Sequence, residues 1–324
     1  MEKRLQDALG GVEVAEPVSA DRMQVFGLRW NLPGEMTYLT LDEALEAKML
    51  EVTEVNEGGS VPEINLSNKG DMMVFLMAGE QLIGAKQNRV VNASMMVPGR
   101  SKRPIPVSCV ERGRWGYRSR QFRSGGSSSH AKLRHMMMRK ATEGYRRERR
   151  PSSNQMEVWG EVDRKMMAMR SHSPSDELQQ VYEDHREPLE KVARDISAPE
   201  GCSGAVFAIG DRIAGVELFD QPETLAKLWP KLVKSYAIDA REEAFIEDLR
   251  RRGGEPQPDK ETLPIDREAV SAWLRSSMEL PSERYDSPGL GDDIRIESTH
   301  MVGASLLVED CPVHTELFAE GGTE

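Results

Sequence analysis

MMVFLMAGEQLIGAKQNRVVNASMMVPGRSKRPIPVSCVERGRW, residues 72–115, decides the fold class and marks the place to look for function. It opens as an apolar strand, then breaks into a run that crowds Glu80, Lys86, Gln87, Asn88 and Arg89 around Gly79 and Gly84. A second apolar stretch ends at Cys109 and delivers Glu111, Arg114 and Trp115 at its far edge. Polar groups this dense between core-like strands are costly to bury unless something pairs with them. The pattern implies a binding site or an internal ion-pair network.

Outward from this stretch, residues 61–66 and 72–78 read as strands about the turn Asn68-Lys69-Gly70-Asp71. Residues 87–97 and 104–110 form a second pair, joined through Pro98-Gly99. Short strands adjacent in sequence with tight turns between them imply an antiparallel sheet. Thr40 and Glu43 fit a capping box ahead of a short helix. Met156, Trp159, Val162, Met166 and Met169 recur at helical spacing. Ser173 or Ser175 caps the next helix, over residues 176–196, which Pro188 kinks or breaks. Residues 201–220 make a hairpin about Gly210-Asp211, 226–249 a helix around Pro230, 267–278 another helix, and 292–318 a final group of strands.

The expectation is one α+β domain, an antiparallel sheet or sandwich of N-terminal, central and C-terminal strands with a helical layer. Within it, residues 1–20 are a loose lead-in and 20–123 the N-terminal sheet region. Residues 124–150 are a flexible basic insertion, 151–249 helices plus the hairpin, 250–264 a linker, and 265–324 the C-terminal helix and strands. The insertion rests on Ser124 to Ser129, which are only serine and glycine, and on basic, poorly apolar flanks. Such a segment buries too little to offset its ordering entropy and should be the first cut by trypsin.

The 324 residues suffice for a large core, although hydrophobic content is 38% and charged content 30%. No run approaches the roughly 18 apolar residues of a membrane span, and the N-terminus lacks the apolar core of a signal peptide. Three widely spaced cysteines give neither a disulfide framework nor a CxxC pair, so a cytoplasmic setting is the expectation. The net charge of −11 hides an asymmetry. Residues 100–150 hold sixteen Lys or Arg against three acids, a local +13 that leaves −24 for the remainder. Such an island binds phosphates or nucleic acid, or is neutralised by acidic helices elsewhere in the fold. The acidic remainder counts against a polyanion.

Within the cluster, Lys86 or Arg89 can hold a phosphate while Gln87 and Asn88 address a ribose or base edge. On a strand, Lys86 and Asn88 would face away from Gln87 and Arg89, so a one-sided site needs a bulge or turn near Gly84. Glu80 and Glu111 can work as acid and base, bind Mg²⁺, or pair with Lys86, Arg89 or Arg114. Trp115 either stacks on a base or anchors the core. Cys109 shares a strand face with Ile105 and Val107, as a buried thiol does, and no base lies near it in sequence. The six histidines form no HxH or HExxH arrangement, and no structural metal is expected. A Walker loop, GxSxG and GxGxxG are all missing, so no motif names a cofactor.

GEQLIGAKQNR and IPVSCVERGRW, with VWGEV, GAVFAIGDRIAGVELFD and VHTELF, resemble a bacterial family over nearly the whole chain. It is the ARG and rhodanese-phosphatase-superfamily-associated protein domain, named for neighbouring genes of ADP-ribosylglycohydrolases and phosphatases. The resemblance implies association with NAD- and ADP-ribose-linked metabolism through genomic context. The basic SGGSSS region is longer than the family pattern and marks a local elaboration. Together these readings favour a protein that binds a small anionic nucleotide through Lys86, Gln87, Asn88, Arg89, Arg114 and Trp115. A hydrolase or transferase with Glu80 or Glu111 as general base is the alternative, and nucleic-acid binding through residues 100–150 a third.

Overall fold

The computed structural model describes residues 3–30, 36–252 and 264–320. The chain opens with α1 (Lys3–Gly10) and the hairpin of β1 (Glu13–Ala20) and β2 (Met23–Arg29). β3 (Tyr38–Thr40) and α2 (Leu41–Glu46) lead to β4 (Leu50–Glu54), β5 (Glu63–Asn68), β6 (Met73–Leu76) and β7 (Glu80–Gly84). β8 (Arg89–Val91), β9 (Met95–Val97), β10 (Ser101–Cys109) and β11 (Phe122–Ser128) complete the N-terminal half. The helical centre is α3 (Ala131–Glu148), α4 (Gln155–Ala168), α5 (Leu178–Asp184) and α6 (Arg186–Asp195). After β12 (Gly204–Ile209) and β13 (Arg212–Phe219) come α7 (Pro222–Arg252) and α8 (Arg267–Ser277). β14 (Ser282–Asp286), β15 (Asp292–Glu297), β16 (Met301–Val308) and β17 (Cys311–Ala319) follow.

The strands form an eight-stranded antiparallel sheet, ordered β1-β2-β12-β13-β17-β16-β15-β14, and a six-stranded antiparallel sheet, ordered β11-β7-β8-β10-β5-β4. A third sheet, β3-β6-β9, has β3 parallel to β6. The fold is α+β. Alternation along β12 explains why the larger sheet is covered on both faces. Ala205, Phe207 and Ile209 face one core with Leu228 and Leu232 of α7, while Val206 and Ala208 face another with Leu5 of α1 and Val270 of α8. A third core joins the two smaller sheets through Leu66, Val74, Leu82, Val91, Val97 and Ile105.

Several local expectations hold. Thr40 and Glu43 form both bonds of the capping box, with Thr40 N donating to Glu43 Oε2 at 2.8 Å. The β12–β13 hairpin turns at Gly210, whose φ of +62° suits glycine. The break near Pro188 falls earlier, at His185 between α5 and α6. A proline ring collides with the carbonyl four residues back, here that of Asp184, where α5 ends.

Residues 124–150 contradict the expectation of an exposed, flexible insertion. Residues 122–128 are the edge strand β11, registered on β7 with Phe122 opposite Gly84 and Ser128 opposite Glu80. Gly125 lies so close to β7 that a Cβ there would sit 3.0 Å from the Ile83 side chain. Small residues here permit a close approach of backbones, and ladder hydrogen bonds replace side-chain burial. The following residues are helical, and Leu133, Met137, Met138, Ala141 and Tyr145 of α3 are buried. The lead-in is also ordered, as α1 and β1. Of the expected linker 250–264, Arg250 to Arg252 end α7, and residues 253–263 lie outside the described residues. The expected strand 87–97 divides into β8 and β9, which belong to different sheets, so Asn92, Ala93 and Ser94 cross between them.

Candidate functional site

The site begins at the turn between β7 and β8, where the backbone leaves the strand as the one-sided arrangement requires. Gly84 has φ of +122° and Ala85 of +40°. A Cβ at Gly84 would lie 2.5 Å from Ser119 Oγ and 3.0 Å from the Gln121 carbonyl, so the position needs glycine. From this turn Lys86 reaches out, its Nζ donating to the Gly58 carbonyl at 2.8 Å. The same ammonium lies 5.2 Å from the ring centres of both Trp115 and Tyr117, each about half exposed. Arg89 is fully buried and donates to Gln87 Oε1 at 3.1 Å and to the Ser60 carbonyl at 3.3 Å. Its Nε has no partner among the described residues, and burial pulls the guanidinium below its ordinary pKa. Glu54 lies nearby, accepting from Lys86 N at 3.1 Å, with its other oxygen buried and unpartnered. Neither Lys86 nor Arg89 forms a carboxylate salt bridge among the described residues.

Glu111 is held at the other end of the cluster. Its oxygens accept from Arg114 Nε at 2.7 Å, Arg114 Nη2 at 2.6 Å and Asn88 N at 2.9 Å. Burial alone would raise its pKa, but the guanidinium and N–H donors outweigh burial and keep the carboxyl below its usual range. Asn88 ties the turn together, accepting from Gly84 N at 3.0 Å and donating to Glu177 Oε2 at 2.7 Å. Cys109 donates to the Glu111 carbonyl at 2.9 Å, and burial pushes its thiol up. It is a free thiol buried in the core.

Glu80 belongs elsewhere. Its side chain accepts from Met77 N at 2.8 Å and from Lys231 Nζ of α7 at 2.5 Å, and Lys231 also reaches Asp42 at 2.7 Å. Glu80 and Glu111 share no hydrogen-bond partner, and both side chains are fully buried. The two carboxylates are not brought together as an acid and base, because each is held by its own cation, Lys231 and Arg114.

The basic window is largely engaged by acids of the fold. Arg112 pairs with Asp163 and Asp176, Arg118 with Glu177, Lys132 with Glu242, and Arg146 with Glu283 and Glu297. Of the cations expected to bind ligand, Lys86 and Arg89 are therefore the two left without a carboxylate salt bridge among the described residues, Arg114 being occupied by Glu111.

A second polar centre, absent from the sequence reading, lies where α3 and α7 meet the eight-stranded sheet. Glu217 of β13 and Glu316 of β17 are directly opposite in register, and Arg134 of α3 bonds both through Nη2. Tyr236 donates to Glu217 at 2.7 Å. His314 Nε2 lies 3.1 Å from Glu217 Oε2, and its Nδ1 lies 2.8 Å from Ser94 Oγ. Glu217 and Glu316 sit in segments quoted for the family resemblance. That was the only signal, since no local spacing links residues 94, 134, 217 and 314.

Asp220 neighbours this centre and offers a pH test. Burial pushes its carboxyl from the ordinary 3.8 up to about 6, although Tyr38 and Gln221 donate to it. The folded state therefore binds a proton that the unfolded chain has lost, so this group's contribution to stability falls as pH rises from about 4 to about 6. Asp220→Asn should gain about 1–3 kcal/mol over the parent chain above pH 7 and nothing near pH 4. Urea unfolding of both chains at several pH values measures this. A pH-independent difference rules out Asp220 as the titrating group.

A cleft of about 460 Å³ opens between the β1–β2 turn, α6 and α7, floored by Met23, Leu189, Val192, Ala237 and Phe245 with Arg241 at its side. None of the candidate catalytic or ligand-binding residues singled out from the sequence lines it. Among the described residues no helix is long and apolar enough to cross a membrane, and no group of three His, Cys, Asp or Glu is placed to hold a metal.

The family model for the ARG and Rhodanese-Phosphatase-superfamily-associated Protein domain matches residues 11–318. No curated protein and no solved structure matches the chain. The match takes in all three sheets and the helical centre, from β1 to Phe318, one residue short of the end of β17. By that match the chain belongs to the ARG and Rhodanese-Phosphatase-superfamily-associated Protein domain family.

Proposed function

We propose that this chain is a cytoplasmic binding protein for a small anionic, ring-bearing ligand, an NAD-derived or ADP-ribose-like nucleotide. The site is the β7–β8 turn together with the loop carrying Trp115 and Tyr117. One observation carries the reading: Lys86 and Arg89 are held by carbonyl oxygens rather than by carboxylates, beside two half-exposed aromatic rings. A buried cation held by carbonyl oxygens rather than by a direct salt bridge favours an anion, and an exposed indole or phenol face favours a planar ring. Lys86 would meet a phosphate, and Trp115 or Tyr117 would stack on the base or nicotinamide. The association with ADP-ribosylglycohydrolase genes implied by the family resemblance supports the choice among anions.

Isothermal titration with ADP-ribose, NAD and nicotinamide mononucleotide tests the proposal. Binding should weaken at least tenfold in Lys86→Ala and Trp115→Ala and stay unchanged in Arg241→Ala. The reverse pattern moves the site to the cleft beside α7. Silence with all three ligands, at concentrations that reveal a Kd of roughly 100 μM (about −5.5 kcal/mol), removes the nucleotide reading.

A further inference from the structure

Ser94, His314 and Glu217 stand in the order of a nucleophile, a base and the group that orients the base. Ser94 Oγ is 2.8 Å from His314 Nδ1, and His314 Nε2 is 3.1 Å from Glu217 Oε2. Glu217 is an acceptor only, so the imidazole proton belongs on Nε2 and Nδ1 is left to accept from the serine hydroxyl. The ring is fixed from both sides, stacked on Phe219 at 4.6 Å and 21° and met edge-on by Phe75 at 5.7 Å. Exposure falls along the relay, from 9% at Ser94 to 1% at His314 and none at Glu217. The reactive end is the one that reaches the surface, beside Ala78 at 7%.

We propose that Ser94 is the nucleophile of an acyl-ester hydrolase activity, with His314 as its base and Glu217 as the positioning residue. Ser94 Oγ attacks the acyl carbon of an ester, and the hydroxyl proton passes to His314 Nδ1. The ester C–O bond then breaks, and the alcohol leaves with that proton. Water attacks the acyl-serine with His314 again as base, releasing the acid and restoring the hydroxyl. Donors for the developing oxyanion lie close by. Ala78 N donates to Ser94 Oγ at 2.9 Å and so lies beside the place where the oxyanion forms, and the next residue, Gly79, lies under the Arg134 side chain, whose buried Nε and Nη1 have no partner among the described residues. Gly79 is required there, since a Cβ would come within 2.7 Å of Arg134 Cδ. The substrate class follows from charge and room. Glu217 and Glu316 outnumber Arg134 and repel a phosphate dianion, and a serine only 9% exposed suits a short, uncharged acyl group.

The full chain is treated with a short-chain fluorophosphonate and mapped by peptide mass, with p-nitrophenyl acetate hydrolysis followed in parallel. Expected are one adduct on Ser94, loss of adduct and hydrolysis in Ser94→Ala, and at least a hundredfold slower labelling in His314→Gln. Labelling should also slow in Glu217→Gln and recover in part in Glu217→Asp. The proposal is overturned by a folded chain that takes no adduct at Ser94, or by labelling indifferent to the His314 and Glu217 changes. Ser94→Cys gives a measurement that needs no change to His314 or Glu217. Alkylation of residue 94 by iodoacetamide is expected, and an inert thiol at that position overturns the proposal, leaving the relay as a strut between sheets.

Discussion

Arg134→Met lowers the stability of the fold by about 3–5 kcal/mol, the largest effect expected of any single change. The reason is the register of the eight-stranded sheet. Glu217 and Glu316 are cross-strand partners on adjacent strands, both essentially without solvent, and like charges placed opposite each other repel. Arg134 bonds both carboxylates from α3. Burial pushes Glu316 up, whereas at Glu217 the pull of Arg134 and the His314 and Tyr236 donors overcomes burial. Methionine keeps the stem's apolar contacts and removes the charge, leaving two buried carboxylates without the guanidinium that bonds them both. A melting temperature lower by roughly 4–8 °C is the simple readout. The deficit should shrink as pH falls, because unpaired buried carboxyls take up protons that neutralise them in the folded state. Adding Glu217→Gln and Glu316→Gln to Arg134→Met should recover much of the loss. A deficit under about 1 kcal/mol would mean that water reaches the pair.

The second large effect separates chemistry from structure at Glu80. Lys231→Met should cost about 3 kcal/mol or more, since Glu80 then keeps only the Met77 N–H for a fully buried carboxylate. Glu80→Gln should cost less, about 1–3 kcal/mol, because Lys231 retains Asp42, whose side chain is 45% exposed. The double variant should be more stable than Lys231→Met alone, the sign that the two residues act as a pair. Thermal melts of the three variants decide it. An unchanged melting temperature in Glu80→Gln would return that carboxylate to the acid–base candidates.

The amino-acid sequence determined whatever depends on period, turn chemistry or capping. Thr40 and Glu43 cap α2, Gly210 turns the β12–β13 hairpin, and strands in tight succession build antiparallel sheets with a helical layer. These are interactions among near neighbours, so the order of residues contains them. The turn at Gly84 was legible for the same reason, and with it the grouping of Lys86, Gln87, Asn88 and Arg89.

Tertiary structure alone decided which charge meets which. Glu80 and Glu111 look equivalent along the chain, yet one pairs with Lys231, 151 positions away, and the other with Arg114, three positions away. Residues 124–150 have the composition of a free insertion, but β7 supplies the ladder that orders β11, and the central core receives the apolar face of α3. Ser94 and His314 are separated by 220 positions and meet only because β9 and β17 belong to sheets packed against each other. The physical reason is common to all three. Burial makes a polar group costly until a partner is found, and the sheet register that brings the partner is a property of the packed whole.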